Sequence, residues 1–384
     1  MVKLKKKIFI IAGEASGDIL ASSIMEKIID KKKDVAFVGM GGEEMQKVSG
    51  FKSIIDIKDF SVMGFVEVLK RYRTLKRKID FVVDEIVKAK PDVIMSVDAP
   101  SLAKAIILRA KKRGVTVPCV HIVAPQVWAW RPKRAKKYAK VFDEILCFFK
   151  FEEPFFTKYG GKIKAIGHPA IERYKGDHSA FTNKYKFVRG KKIIALIPGS
   201  REAEIDVMLP VLKEVSERLR DKYNNCSFFM PLVESTEDKV RSIVETWDAK
   251  PAFVKGSKDR YDMFARSNLA ICASGTVSLE LAIRNVPTVA CYKVSKLTHF
   301  IIKRFISIKY FSLVNILSDE MIIPELFQDE LTADNVFNEA CKVLDDKDYK
   351  KKYTKKIKPS IDMLKAGAGM PSTKAATEVL KYIK

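Results

Sequence analysis

Short, continuously apolar runs alternate with longer amphipathic stretches along this chain, and this alternation most constrains its fold. Helical patterns such as 202–223 and 236–247 separate the apolar runs. Runs without polar alternation indicate strands that are buried on both faces of a parallel sheet. The pattern therefore predicts an α/β fold with doubly wound parallel sheets. Strands are expected at residues 7–12, 35–39, 92–97, 117–123, 144–149, 162–166, 192–197, 227–232, 251–254, 269–273 and 287–292.

A polar stretch, RYKGDHSAFTNKYKFVRG, divides these strands into two sets. With 384 residues, the chain is long enough for two domains. We predict a Rossmann-like unit at 1–172, a linker at 173–190, a second Rossmann-like unit at 191–345 and lysine-rich helices at 346–384. In such sheets, ligands bind beyond the carboxyl ends of the strands, so functional residues are expected in those loops.

The composition leaves several partners open. A formal charge of +24 favours a polyanion, which could be nucleic acid, an anionic lipid surface or a phosphorylated substrate. A lysine-rich proteome explains the charge equally well. The six scattered cysteines form no C-x-x-C pair, which is typical of a reducing cytoplasm rather than of disulfides or zinc sites. Neither a metal site nor a cofactor is predicted, and no apolar run reaches the roughly 20 residues that span a bilayer.

The first predicted strand leads into a tight loop, in the sequence IFIIAGEASGD at 8–18. In dinucleotide-binding folds, a glycine-rich loop at this place contacts a pyrophosphate. Here two glycines accompany Glu14, Ser16 and Asp18. Two carboxylates would repel a diphosphate, so this loop is expected to hold something else.

Asp98 directly follows a predicted strand, in the sequence PDVIMSVDAPSLAK. An acid at the carboxyl end of an inner strand is placed to act as a general base. Alternatively, Asp98 is the N-cap of the next helix, with Pro100 in its first turn. The local sequence supports both interpretations.

Residues 121–137, HIVAPQVWAWRPKRAKK, combine aromatic and basic side chains after another strand. Gln126, Trp128 and Arg131 are candidates for a sugar platform, a phosphate clamp or a nucleic-acid contact. The tryptophans also fit ordinary packing. His121 falls inside the strand and is predicted to be a core histidine.

Two strand-to-helix loops in the second half of the chain resemble anion sites. Free N–H groups at a helix N-terminus, assisted by an arginine, bind phosphates. Glu280, one helical turn after the second loop, suits a pair of ribose hydroxyls. A tight turn with a surface arginine and an ordinary helix cap are the alternative interpretations. The loop residues are Gly199, Ser200 and Arg201, and Ser274, Gly275 and Thr276.

Two stretches combine apolar stripes with cations in a way that favours contact with a membrane surface. Core packing is the better interpretation for either stretch alone, but two stretches in one chain strengthen the membrane hypothesis. The predicted contact residues are Phe65, Val66, Leu69, Arg71 and Arg73 in the first stretch, and Phe300 and Phe305 in the second.

The motifs also occur in a recognisable order: IAGEASGD, MGFVEVL, VDAP, APQVWAWRPKR, GHP, PGSR, SGTVSLE, VNIL and PELFQDELT. In this order they closely resemble the lipid-A-disaccharide synthases over essentially the whole chain. The resemblance implies a GT-B glycosyltransferase, with two Rossmann-like domains facing a central cleft.

The resemblance also implies a reaction. The family transfers 2,3-diacylglucosamine from its UDP donor to the 6-hydroxyl of 2,3-diacylglucosamine 1-phosphate, with inversion and release of UDP. Asp98 corresponds to the family's base, and Asn315 to another cleft position. Arg201 and residues 274–276 would stabilise UDP without a metal, and Glu280 would hold the ribose. Glu14, Ser16 and Asp18 would contact sugar hydroxyls or order the cleft.

Members of the family act on the cytoplasmic face of the inner membrane of Gram-negative bacteria. The resemblance implies that residues 346–384 pack on the N-terminal unit or on a second subunit, which would make a homodimer. One rival interpretation is another GT-B enzyme acting on UDP-sugars, such as an epimerase, which would not need two membrane-like stretches. The other rival is a basic nucleic-acid-binding protein, whose binding would fall steeply with salt. The paired strand–glycine–helix sites and the ordered motifs argue against this second rival.

Overall fold

The computed structural model describes residues 5–48, 50–60, 72–294 and 309–383. Within these ranges the chain forms two compact units. The first unit comprises the described residues up to Glu172 together with those from Leu364 onward, and the second comprises Arg173–Met363. Each unit contains one six-stranded sheet in which all pairs of neighbouring strands are parallel. The predicted α/β fold is confirmed.

The first sheet has the strand order β2-β1-β3-β4-β5-β6. Its strands are β1 (Lys6–Ala12), β2 (Val35–Met40), β3 (Val93–Val97), β4 (Cys119–Ile122), β5 (Glu144–Cys147) and β6 (Ile163–Ala165). The helices of this part of the chain are α1 (Ala15–Lys31), α2 (Glu43–Gln46), α3 (Tyr72–Ala89), α4 (Pro100–Lys112), α5 (Ala135–Ala139) and α6 (Glu153–Thr157).

The second sheet has the strand order β12-β11-β10-β7-β8-β9. Its strands are β7 (Lys192–Ile197), β8 (Cys226–Pro231), β9 (Ala252–Val254), β10 (Leu269–Ala273), β11 (Thr288–Tyr292) and β12 (Glu325–Phe327). The helices of this unit are α7 (His178–Lys184), α8 (Glu202–Lys222), α9 (Glu237–Val244), α10 (Ser257–Arg266), α11 (Thr276–Ile283), α12 (Leu313–Ser318), α13 (Ala333–Asp345) and α14 (Tyr349–Met363).

Each sheet has one point at which the order of its strands reverses. In the first sheet this point lies between β1 and β3, and in the second between β7 and β10. In open α/β sheets, ligands bind in the crevice beyond the carboxyl ends of the strands at such a point. The topology therefore predicts that ligands bind at the loops after β1, β3, β7 and β10.

The apolar runs are continuous because both faces of each sheet are covered. Along β1, Ile8 and Ile10 belong to the core on one face, and Phe9 and Ile11 belong to the core on the other. All four side chains are at most 2% exposed. Successive side chains of a strand point to opposite faces, so a strand in the middle layer needs apolar residues at every position.

Two segments differ from the expected domain boundaries. Residues 173–190, expected to be a linker, contain α7 and belong to the second unit. Phe181 of α7 is only 2% exposed and packs edge-on against Phe229 of β8. The burial of Phe181 thus attaches residues 173–190 to the second unit, although their composition is mostly polar.

At the C-terminus, α14 remains with the second unit, and the chain joins the first unit only at Leu364. The last helix, α15 (Pro371–Leu380), packs against α1, with Ala375, Ala376 and Val379 buried in the core of the first unit. Lys164 of β6 also forms a 2.6 Å ion pair with Glu378 of α15.

Candidate active site

The carboxyl ends of β1 and β3 hold Ser16 and Asp98 in direct contact. Ser16, in the first turn of α1, donates a hydrogen bond of 2.6 Å from Oγ to Oδ2 of Asp98. The backbone N–H of Ala99 donates a hydrogen bond of 2.9 Å to Oδ1. Ala99 is itself the N-cap residue of α4, and no side chain caps that helix. The N-cap position considered for Asp98 is therefore not observed, and its carboxylate faces α1 instead.

The backbone at these strand ends is strained. Asp98 and Ala99 have left-handed φ angles of 57° and 43°, and Val123, at the end of the neighbouring β4, has φ 78°. Such conformations cost about 1–3 kcal/mol for residues other than glycine and concentrate at functional sites. A β-branched valine is especially unfavourable there. The strain therefore supports a functional role for the ends of β3 and β4.

Gly17 allows the close approach of α1 to β3. A Cβ at this position would lie 2.8 Å from the carbonyl oxygen of Val97 and 3.2 Å from Cβ of Asp98. Both distances are shorter than van der Waals contact. The second glycine of the IAGEASGD motif thus permits the contact between Ser16 and Asp98.

Glu14 and Asp18 lie on either side of this contact and have different environments. Desolvation and, to a smaller extent, the negative charge of Asp98 raise the pKa of Glu14. Asp18 is 4% exposed. Its carboxylate accepts hydrogen bonds of 2.8–3.0 Å from three backbone N–H groups, those of Gly42, Glu44 and Met45. Of the two roles expected for Asp18, the structure is consistent with ordering the site rather than with contact to sugar hydroxyls.

A cavity of about 610 Å³ adjoins the start of α1. Ala15, Asp18 and Ile19 of α1 line it, together with residues from the segments 41–46 and 53–58. This volume is within the usual range of small-molecule pockets. The pocket beside Asp18 is therefore large enough for a sugar, and its lining residues do not include Ser16 or Asp98.

Within the loop after β4, Gln126 is exposed but Trp128 is anchored. Trp128 donates a hydrogen bond of 3.2 Å from Nε1 to the buried carboxylate of Glu152. Glu152 also accepts hydrogen bonds of 3.0 Å from the backbone N–H groups of Phe148 and Phe149. Burial raises the pKa of Glu152 to about 7. Trp128 is therefore a packing residue, as in the alternative interpretation of the tryptophans.

His121 is a core histidine, as predicted. It is 0% exposed, its Nδ1 lies 2.8 Å from Oγ of Ser96, and its ring stacks on Phe142. Burial lowers the pKa of His121 to about 3, so the imidazole is neutral at physiological pH.

The other tryptophan of this loop, Trp130, is 38% exposed, and two arginines lie close to its ring. The guanidinium of Arg131 lies 4.4 Å from its ring centroid, and that of Arg134 lies 5.7 Å away. Arg131 has a left-handed φ of 55°. Unlike Trp128, Trp130 thus belongs to an exposed, positively charged surface.

In the second unit, the loop after β7 is closed by an internal carboxylate. Gly199 has φ 113°, and the following backbone N–H groups of Ser200 and Arg201 donate to Oε2 of Glu204 at 2.9 and 3.3 Å. The guanidinium of Arg201 contacts the other oxygen of Glu204 at 3.2 Å. An anion that binds here must displace Glu204, which is not among the residues predicted from the sequence. An acidic residue in the first turn of a helix is the signal that predicts such a contact.

By contrast, the loop after β10 is open. Ser274 donates from its backbone N–H to the carbonyl of Cys291 at 2.7 Å, which fixes the end of the strand. Gly275 and Thr276 are exposed at the start of α11, and no side chain caps this helix. A Cβ on Gly275 would meet no atom within 4 Å. This helix start can therefore accept an anion without rearrangement.

Glu280 lies in α11, is 5% exposed and forms an ion pair with Arg173. Its backbone carbonyl accepts a hydrogen bond of 2.7 Å from Arg284, whose guanidinium lies over the ring of Tyr261 at 4.0 Å. Burial lowers the pKa of Arg284 to about 10. Arg173 lies 107 residues from Glu280 and has no motif of its own, so the sequence does not predict this pair.

Asn315 is 0% exposed and its side-chain amide has four hydrogen bonds. Nδ2 donates to the carbonyl of Ile323 and to Glu325, both at 2.7 Å. Oδ1 accepts from the backbone N–H groups of Ile322 and Ile323, both at 2.9 Å. All donors and acceptors of the amide are used, so Asn315 orders the segment before β12 and is not available to a ligand in this conformation.

The predicted membrane stretches are only partly described. Phe65, Val66, Leu69, Arg71, Phe300 and Phe305 lie outside the described residues. Arg73 is exposed at the start of α3. Farther along α3, Ile79, Val82 and Val83 are at most 6% exposed and belong to the core of the first unit. These three residues therefore pack in the core, which is the alternative interpretation of the first membrane-like stretch. Among the described residues, no helix has the length and apolar character needed to cross a membrane.

Comparison with known proteins shows the family. The model of the lipid-A-disaccharide synthetase family (LpxB) matches residues 8–379. The chain belongs to this family. Its relatives include the lipid-A-disaccharide synthases of Paramagnetospirillum magneticum, 36% identical over 382 residues, and Rhodospirillum centenum, 34% identical over 379 residues. These alignments cover 98% of this chain, and 97% and 94% of the respective relatives.

Solved structures show the fold independently. A UDP co-structure of Staphylococcus aureus MnaA is similar with a TM-score of 0.67 and 16% identity, covering 98% of this chain and 97% of that one. Acinetobacter baumannii MurG is similar with a TM-score of 0.56 and 12% identity, covering 98% and 99%. At these identities the similarity shows the fold alone. It confirms the predicted GT-B architecture, while membership of the lipid-A-disaccharide synthase family supports a glycosyltransferase over the epimerase and nucleic-acid-binding alternatives.

Proposed function

We propose that the protein transfers 2,3-diacylglucosamine from UDP-2,3-diacylglucosamine to the 6-hydroxyl of 2,3-diacylglucosamine 1-phosphate. The products are the β-1,6-linked disaccharide 1-phosphate and UDP. The observation that carries this proposal is the contact between Ser16 and Asp98 at 2.6 Å, at the switch point of the first sheet. Family membership supplies the substrate class, and this contact supplies a group that can accept the proton of the acceptor.

Asp98 is the proposed general base. In one displacement, the acceptor oxygen forms a bond to the anomeric carbon, the bond from that carbon to UDP breaks, and the hydroxyl proton passes to the Asp98 carboxylate. A single displacement converts the α-linked donor into a β-linked product. Ser16 is the proposed positioning residue, because its hydrogen bond fixes the orientation of the carboxylate.

The second unit is proposed to bind UDP. The open helix start at Gly275 and Thr276 provides N–H groups for the diphosphate, and Arg201 provides a cation for the charge that develops on the leaving group. Arg201 is available because its side chain is 65% exposed and its present partner, Glu204, is only three residues away. Glu280 would accept hydrogen bonds from the ribose, with Arg173 holding its other side. These charges make a metal ion unnecessary in the proposal.

We further propose that the enzyme works on the anionic cytoplasmic surface of the inner membrane. The net charge of +24 supports this proposal. So do the exposed cations in the first turns of α3, namely Arg73, Lys76 and Arg77. Each cation near an anionic surface adds about 1 kcal/mol of attraction.

The decisive experiment measures disaccharide 1-phosphate formation from both lipid substrates, with EDTA present, by wild type and by Asp98→Asn. Wild type should form product, and Asp98→Asn should lose at least about two orders of magnitude in kcat while still binding UDP. Folding of the variant is checked by thermal unfolding. A folded wild type that binds UDP but forms no disaccharide would disprove the proposed function, and full activity in Asp98→Asn would disprove the proposed base.

A further inference from the structure

A group of cations without carboxylate partners lies on the first unit, around Trp130 and Tyr138. Besides Arg131 and Arg134 on Trp130, Lys104 of α4 lies over the ring of Tyr138, with Nζ 5.0 Å from its centroid. Within the described part of the chain, none of these three cations has an acidic side chain within ion-pair distance. Many other cations of this chain do have such partners, as Lys78 has Asp59 at 2.6 Å. We call Lys104, Arg131 and Arg134 the cation cluster.

The cation cluster is connected to the proposed base. Arg134 donates a hydrogen bond of 2.9 Å to Oη of Tyr138, and this oxygen lies 3.4 Å from Oγ of Ser101. Ser101 is in the first turn of α4, three residues after Asp98. Two hydrogen-bond steps therefore join Arg134 to the helix turn that follows the base.

Tyr138 is fully buried, so its hydrogen bond fixes the position of the Arg134 guanidinium. Arg131 is exposed, and its guanidinium lies over the ring of Trp130, 4.4 Å from the centroid. Guanidinium groups without carboxylate partners are suited to bidentate binding of a phosphate dianion. Aromatic faces stabilise such cations without neutralising their charge.

We propose that the cation cluster binds the phosphate monoester of the acceptor sugar. This inference rests on the proposed function, in which the acceptor carries a 1-phosphate and delivers its 6-hydroxyl to Asp98. A sugar whose hydroxyl faces the end of β3 can place a phosphate toward α4 and the loop after β4. The same cations could bind the phosphate headgroup of an anionic lipid, which is the same chemistry from another source. The fixed position of Arg134 favours the substrate.

The test compares the acceptor with its dephosphorylated form, using wild type, Arg131→Gln and Arg134→Gln. Wild type should prefer the phosphorylated acceptor in kcat/KM, and each variant should lose about tenfold or more of this preference, mainly through KM. The Kd for UDP should change little. Arg131 is exposed, so its replacement leaves the core intact. Arg134→Lys, which keeps the charge but loses the planar fork, should be intermediate.

Lys137→Gln is the matched control, because Lys137 is an exposed cation of α5 without an aromatic or acidic partner among the described residues. It removes the same charge and should keep the full preference. An unchanged preference in both arginine variants, or an equal loss in Lys137→Gln, would overturn the inference.

Two further measurements separate the possible failures. Equilibrium binding of glucosamine 1-phosphate and of glucosamine needs no turnover, so it tests the cation cluster even if no disaccharide forms. If an inactive wild type binds the phosphorylated sugar, and this binding requires the arginines, the phosphate site is supported and only the proposed function is disproved.

Sedimentation with vesicles of equal parts phosphatidylcholine and phosphatidylglycerol tests whether the cation cluster binds lipid headgroups instead. Vesicle binding lost in the arginine variants, with acceptor preference unchanged, would assign the cluster to headgroups and overturn the inference.

Discussion

Ser16 and Asp98 lie 82 residues apart in the sequence, yet a hydrogen bond of 2.6 Å joins their side chains. The topology of the first sheet brings them together. β1 pairs with β3 in parallel register, with Ala12 opposite Val97, so both strands end at the same edge. The loop after one strand and the acid after the other must then meet, provided that α1 can start close to β3.

Gly17 provides this closeness, so Gly17→Ala should disrupt the contact. The added Cβ would lie 2.8 Å from a backbone oxygen, which cannot move as a flexible side chain can. We expect a loss of about 1–3 kcal/mol in the free energy of unfolding, together with a fall in kcat. Urea unfolding and the disaccharide assay measure the two effects.

Ser16→Ala is the matched control for this prediction, because it removes the hydrogen bond without adding volume. It should lower kcat while costing less stability than Gly17→Ala. If Gly17→Ala kept wild-type stability and activity, the close approach of α1 to β3 would not matter for the site.

Gly275 and Gly199 should respond differently to alanine, although both follow strands of the second sheet. Gly275 is extended and open, so Gly275→Ala should leave the unfolding temperature unchanged but weaken UDP binding about tenfold or more, because the new methyl group occupies the proposed diphosphate position. Gly199 has φ 113° and its Cβ would lie 2.5 Å from Glu204, so Gly199→Ala should lower the unfolding temperature. Calorimetry of UDP binding and thermal unfolding test both variants. Unchanged UDP affinity in Gly275→Ala would exclude that loop as the diphosphate site.

The sequence predicts the fold well because the signals of a doubly wound sheet are local. Each strand of the continuous apolar pattern is present, with small differences at the ends. β12, Glu325–Phe327, is missed because its three residues do not form an apolar run. The loops that carry the candidate site are also predictable, since parallel strands place their carboxyl ends together.

The partners of the site residues are not predictable in the same way. Asp18, Asn315 and Glu280 all read as ligands for a substrate, but each is bound to groups of the protein itself. A buried polar side chain must find hydrogen-bond partners, and these come from segments that the local sequence does not specify. These partners are far away in the sequence. Asp18 binds N–H groups 24 to 27 residues away, and Arg173 lies 107 residues from Glu280.

Asn315→Ala should therefore be a stability variant. It removes four hydrogen bonds in a fully buried position and leaves the carboxylate of Glu325 with one partner fewer. Leaving buried donors and acceptors unsatisfied costs about 1–3 kcal/mol per group. Thermal unfolding should show a clearly lowered midpoint. A wild-type midpoint combined with lost activity would instead show that Asn315 contacts the substrate.

Glu152 should give the first unit a pH dependence near neutrality. Its pKa is raised by burial to about 7, from an ordinary value of 4.5. Between these pH values the folded protein retains a proton that the unfolded chain has already released. The free energy of unfolding should therefore fall as the pH rises through this window, by roughly 3 kcal/mol at most. Glu152→Gln removes the titrating group and should flatten this part of the stability curve.

Trp128 reports the same titration directly, because its Nε1 donates to the Glu152 carboxylate at 3.2 Å. Tryptophan fluorescence of wild type should change with a midpoint near pH 7. The change should be absent in Glu152→Gln, and also in Trp128→Phe, which retains the carboxylate but removes the reporter. A wild-type midpoint near the ordinary pKa of a glutamate would mean that solvent reaches Glu152. In that case the anchor of Trp128 would be loose, and the loop that carries Gln126 and Arg131 would not be held as the structure shows.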